Sequence, residues 1–155
     1  MLNVTYAITV CNEIEEITRL INFLHPRIQS DDEILIQYDE DGVTDAVKDY
    51  LSIVNTLHQN IKVIGFPLNN DFATFKNNLK NHAKGIFIFQ IDADEIPNEY
   101  LIANMHDFLE SNKDVDLFFV PRVNTVEGLT QEHIKKWRWN VNEKGWVNWP
   151  DVQTR

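Results

Sequence analysis

The chain has 155 residues, 43% hydrophobic and 25% charged, with a formal net charge of −10, which fits one soluble domain able to bury a core without disulfides or structural metal. Its single cysteine, Cys11, excludes an internal disulfide and a cysteine-rich zinc site, and the acidic balance without a basic stripe excludes nucleic acid as a partner. No apolar run reaches bilayer-spanning length and no basic leader precedes the first strand, so the expectation is a cytoplasmic protein with no transmembrane segment.

Residues Asn3 to Val10 read as a β-branched strand, and Asn12 is the expected cap of a helix whose first turn holds Glu13, Glu15 and Glu16. Ile14, Ile17, Leu20, Ile21 and Leu24 form one apolar stripe before Pro26 ends the helix. Ile34 to Tyr38 is a short apolar run that enters the acidic turn Asp39-Glu40-Asp41-Gly42. Thr44 is placed to cap a helix that buries Val47, Leu51, Val54 and Leu57, and Ile61 to Phe66 gives a third strand. Asp71 is placed to cap a third helix, in which Phe72, Phe75, Leu79 and Ala83 recur at helical spacing, with Gly85 as its stop.

Ile86 to Ile91 is apolar on both faces apart from Gln90, as a central strand covered by helices on each side must be. Pro97 opens a fourth helix, and Val115 to Val120 reads as a fifth strand. A short helix near Gln131 to Trp137 and a strand near Trp146 to Trp149 complete the chain. The alternation predicts an α/β, doubly wound, mainly parallel sheet with helices on both faces. Residues 1–120 form its β/α core and 121–155 a C-terminal segment of the same domain.

In such sheets ligands bind beyond the carboxyl ends of the strands. Asp92-Ala93-Asp94 leaves the fourth strand at that edge, where two carboxylates around one small residue can reach a common ligand. Hard oxygen donors of this kind suit Mg²⁺ or Mn²⁺, which keep open positions for phosphate oxygens. A bridging ion also reconciles an acidic protein with a diphosphate. Asp39 to Asp41, by composition, reads as a solvated turn, of which only Asp39 lies next to a strand end.

The stretch Lys76-Asn77, Ala83-Lys84-Gly85, Ile86 to Ile91 and Asp92-Ala93-Asp94, followed by Glu95 and Pro97, resembles family 2 glycosyltransferases of the GT-A fold, in particular lipopolysaccharide-core-type transferases. Ile8 to Glu13 resembles the first strand and base-binding turn of that family, and Trp149 to Arg155 resembles a later segment. The resemblance implies transfer of a sugar from a nucleoside-diphosphate sugar, by default a UDP-sugar, to a glycan or lipid-linked acceptor hydroxyl, with inversion. It implies that Thr9, Val10, Asn12 and Glu13 line the nucleobase and ribose pocket with Asp39 facing the base. Lys76 would approach the diphosphate in place of the family's usual arginine. Asp92 would hold the ribose or a metal-bound water and Asp94 would ligate Mn²⁺ or Mg²⁺ directly, so that Asp92, Ala93 and Asp94 form the metal and nucleotide edge.

An inverting transfer needs a carboxylate base, for which Asp151 is the best placed candidate, and 121–155 would be the acceptor side. Family members continue past this segment, so a donor-binding module without transfer is an alternative reading. A haloacid-dehalogenase-type phosphohydrolase is a further one, although its Asp-x-Asp opens the domain and here it follows three β/α units. His133 reads as an exposed or core histidine rather than a metal ligand, and the tryptophans at 137, 139, 146 and 149 as packing groups of the C-terminal segment, with stacking on sugars or a partner as the alternative.

Overall fold

The computed structural model describes residues 2–154, with the side chains of 151–154 outside that description. It divides into two compact units, residues 1–113 and 114–155. In the first, β1 (Val4–Val10), β2 (Glu33–Asp39), β3 (Ile61–Phe66) and β4 (Phe87–Asp92) form one sheet in the order β3-β2-β1-β4. Every pair is parallel. The chain builds outward from β1 to β3 and then crosses back to place β4 on the other side of β1. Right-handed crossovers therefore put α1 (Ile14–Leu24) and α2 (Asp45–Leu57) on one face and α3 (Phe72–His82) on the other. The order reverses between β1 and β4, which opens a crevice at their carboxyl ends.

The two-residue period of the strands sorts their side chains between these faces. Tyr6, Ile8, Ile34 and Ile36 are buried on the face of α1 and α2, whose own stripes of Ile17, Leu20, Leu24, Val47 and Leu51 are buried as well. Each such aliphatic burial contributes about 1.5–3 kcal/mol, which is how α1 and α2 hold although neither Glu13 nor Thr44 makes a side-chain cap bond. The cap position of α1 is Glu13, one residue past the expected Asn12. On the opposite face Ala7 and Leu35 pack against Leu79 of α3, with Ile64, Ala83 and Ile88 around them.

A polar bridge locks α3 to the sheet. Gln37, fully buried on β2, donates to the Phe75 carbonyl at 2.7 Å and accepts from the Asn78 amide at 2.7 Å. Asp71 caps the helix through the Thr74 N–H at 3.0 Å and the Thr74 hydroxyl at 2.6 Å, and those bonds hold its carboxyl below the ordinary carboxylate range. The helix ends at His82, so Gly85 is not its stop. A Cβ at Gly85 would lie 2.4 Å from the Thr5 backbone nitrogen and 2.8 Å from the Phe87 carbonyl oxygen, so close approach to β1 is what requires glycine there.

The expected fourth helix is two pieces, α4 (Glu99–Ala103), capped by Asn98, and α5 (Met105–Ser111). His106 of α5 reaches the buried Asp32, with its Nε2 2.9 and 3.0 Å from the two carboxylate oxygens, and Asp32 also accepts from the Val4 N–H at 2.8 Å.

In the second unit β5 (Phe119–Asn124) pairs antiparallel with β6 (Val147–Thr154), so the fifth strand belongs to a separate two-stranded sheet and begins four residues later than expected. Between them α6 (Gln131–Trp137) matches its expected span and opens with a capping box between Thr130 and His133. The Trp137 ring lies 5.1 Å from that of His133 and 4.8 Å from that of Trp139, centroid to centroid, so these rings pack on one another.

Candidate functional site

Thr9 and Asp92 are register partners across β1 and β4, at the carboxyl edge where the strand order reverses. The Thr9 hydroxyl donates to Asp92 Oδ1 at 2.9 Å. Beyond Asp92 the chain turns sharply: the Ala93 N–H donates to the Thr9 carbonyl at 3.1 Å and the Glu95 N–H to the Asp92 carbonyl at 2.9 Å. Glu95 folds back to accept from the Asp92 N–H at 3.1 Å. Ala93 is buried in this turn, and Asp94 is left exposed at its tip.

Lys76 comes from α3 and donates to Asp92 Oδ1 at 2.8 Å. One oxygen of Asp92 thus serves both an ammonium and a hydroxyl. The other carboxylates at this edge act first on backbone. Glu13 accepts from the N–H groups of Cys11 at 2.8 Å and Asn12 at 3.0 Å, which shapes the turn leaving β1. Asp39 accepts from the Leu68 N–H at 3.0 Å and the Asp41 N–H at 3.3 Å, which ties the loop before α3 to the end of β2. Gly42 completes this corner. A Cβ there would lie 2.7 Å from both Asp39 Oδ2 and Cys11 Sγ. Burial, and then the Asp39 and Glu13 carboxylates, push the Cys11 thiol up.

These groups surround a cavity of about 440 Å³, a size typical of small-molecule sites. Of the residues singled out from sequence, Thr9, Val10, Glu13, Asp39, Lys76, Asp92, Ala93 and Asp94 line it. Asn12 is exposed and lies outside the lining. Asp151 pairs through its backbone with Arg122 across β5 and β6, and its side chain is outside the described residues.

Sequence reasoning missed Cys11, Leu68, Phe72 and Phe75, which supply much of the apolar wall. Phe72 in particular was expected on the buried stripe of α3, yet it is 66% exposed, while Phe75 and Leu79 are buried. It sits in the first turn of α3, whereas Leu79, two turns on, packs against Ala7 and Leu35 of the sheet.

No three histidine, cysteine or carboxylate side chains converge as a closed metal cage among the described residues. The donor set instead fits an open site, since Mg²⁺ and Mn²⁺ are held by one or two carboxylates and complete their shells with water and substrate phosphates. Asp94, at the turn tip, presents an exposed carboxylate of that kind. Asp92 is the weaker one, because its Oδ1 already binds Lys76.

Solved structures share this architecture. The chain superposes on S. aureus TarS (residues 1–349) with a TM-score of 0.64 at 18% identity, covering 84% of this chain and 38% of TarS. The TarS complex with UDP-GlcNAc matches with a TM-score of 0.62 at 18% identity, covering 84% and 36% of the two chains, and a complex with UDP is among the matches at 0.64. This chain therefore spans less than two-fifths of the length of these structures. No curated protein matches it. The sequence profile described as glycosyl transferase family 2 matches residues 5–152, nearly the whole chain. With its switch point and acidic turn on a parallel α/β sheet, the chain belongs to glycosyl transferase family 2.

Proposed function

We propose that this chain binds a UDP-sugar with Mn²⁺ or Mg²⁺ and transfers the sugar to an acceptor hydroxyl with inversion. The observation that carries the reading is the cluster of Thr9, Lys76, Asp92 and Asp94 at the crevice between β1 and β4. Family membership supports the glycosyltransferase activity, and the UDP and UDP-GlcNAc complexes of TarS support the choice of nucleotide. Asp94 would hold the divalent ion, which, when bound, supplies Lewis-acid stabilisation of charge on the departing diphosphate. Lys76 places an ammonium beside the same edge, where it can turn from Asp92 to a phosphate oxygen. Thr9 and Asp92 orient the ribose end. Asp151 is the carboxylate proposed to take the acceptor proton as the hydroxyl attacks the anomeric carbon.

The cavity itself gives the physical case for the ion. Four carboxylates line it, from Glu13, Asp39, Asp92 and Asp94, against the single ammonium of Lys76. A diphosphate entering that surface is repelled unless a cation bridges it. Calorimetric titration with UDP should therefore show binding with Mn²⁺ and little without it, and Asp94→Ala should abolish the metal-dependent part while leaving the fold intact. Equally tight binding of UDP in a chelator would sink the bridging-ion reading.

A further inference from the structure

We propose that Phe72 is the stacking platform for the nucleobase, and so a residue that sets affinity for the nucleoside end of the donor. The inference rests on the donor-binding reading above and assigns the aromatic contact within that site. Phe72, Phe75 and Lys76 stand at i, i+3 and i+4 of α3 and share one helix face, and all three line the cavity. Along that face the chemistry changes. Lys76 lies at the Asp92 pole, 2.8 Å from its Oδ1. Phe75 is buried and packs against Phe66 with ring centroids 6.4 Å apart, forming an apolar floor. Phe72, a turn nearer the helix start, leaves 66% of its surface in solvent.

The opposite pole is fixed by Asp39, whose Oδ1 accepts from the Leu68 N–H and so anchors the segment that leads into Phe72. A ligand with a flat apolar group at one end and an anionic group at the other matches this order of ring, floor and ammonium. A nucleoside diphosphate has that form. Covering the ring also removes a large exposed aromatic surface from water.

The test is titration of wild type, Phe72→Ala and Phe72→Tyr with UDP and separately with pyrophosphate, all with Mn²⁺. Stacking of a base on an aromatic side chain predicts that Phe72→Ala weakens UDP by about tenfold or more. Pyrophosphate affinity should be unchanged in both variants, and Phe72→Tyr should keep UDP within about twofold, because its ring keeps the stacking face. UDP affinity in Phe72→Ala within about twofold of wild type overturns the assignment. An equal loss for pyrophosphate also overturns it, since the substitution would then act through the helix rather than the ring. Failure of wild type itself to bind UDP with Mn²⁺ brings down the donor-site reading beneath it, a result distinct from either of those. Phe72 is exposed, so the variants keep the core, and thermal unfolding verifies this.

Discussion

Replacing Gln37 with leucine separates what holds α3 in place from what the helix carries. Gln37 is fully buried and makes two bonds of 2.7 Å to the helix, one to the Phe75 carbonyl and one from the Asn78 amide. Each neutral bond contributes about 1 kcal/mol net, and leucine fills a similar volume, so the loss should be about 2 kcal/mol. The Asn78 amide is only partly buried and can turn to water, which keeps the cost from rising further. For a chain of this size the midpoint of thermal unfolding should fall by about 4–8 °C.

The functional effect follows from position. Phe75 lies between Phe72 and Lys76 in sequence, and its carbonyl is the point at which the sheet grips that turn. A loosened turn should weaken binding of UDP with Mn²⁺ even though Gln37 does not line the cavity. Urea unfolding of Gln37→Leu, Asn78→Ala and the double variant gives the coupling directly, expected at about 1 kcal/mol. A Gln37→Leu variant as stable as wild type, with additive effects in the cycle, would refute the claim that this amide positions α3.

Gly85→Ala should destabilise the fold by about 1–3 kcal/mol or more, because its methyl would meet the Thr5 backbone at 2.4 Å and that strand cannot move; denaturant midpoints measure it. Lys76→Met should change stability by no more than about 1 kcal/mol, since the pair with Asp92 is exposed by 31% and 36% at its two side chains. The same variant should weaken UDP binding by about tenfold or more, as loss of a charged hydrogen bond does, and calorimetry beside a thermal melt reads both. Burial, and then the Asp32 charge, raise the Tyr6 phenol above its ordinary value of about 10. The folded state therefore keeps the proton that the unfolded chain releases. Stability from this group is complete below about pH 10 and should fall as pH rises, by about 1.4 kcal/mol per pH unit for one linked proton, with a shallower fall in Tyr6→Phe.

The parallel sheet was legible because β1 and β2 are buried on both faces and its strands read as apolar runs between helical stripes, whereas β4, expected as a central strand, is the edge strand beside β1 and buries only Ile91. Val4 to Val10 and Phe87 to Asp92 needed no knowledge of their partners to be recognised. The apolar run at Val115 to Val120 looked the same, yet it forms a strand only from Phe119 and pairs with β6 rather than with the sheet. An apolar run specifies extended structure but not its neighbour, and that pairing is decided by contacts distant in sequence. Phe72 shows a different gap. Helical spacing gives the direction in which a side chain points around the axis, but not whether the sheet extends far enough along the axis to cover it. Leu79 is covered by Ala7 and Leu35, while Phe72, near the start of the helix, stays exposed. Gly85 was visible as a glycine, but its reason is a distance to Thr5 that no local pattern encodes.

The acidic cavity also divides its labour in a way that composition could not reveal. Glu13 spends its carboxylate on the N–H groups of Cys11 and Asn12, and Asp39 on those of Asp41 and Leu68. Both therefore build walls. Asp92 is held between Thr9 and Lys76, an arrangement of little worth to the fold because such exposed pairs contribute about 0.2–1 kcal/mol. A pair that weak is cheap to break, so an arriving phosphate can compete for the lysine without cost to stability. Asp94, on the exposed tip of the turn, is the carboxylate with no wall to hold. The negative charge available to a cation is thus concentrated at one end of the cavity, opposite the aromatic end. That polarity is what a donor with a flat base and a diphosphate requires.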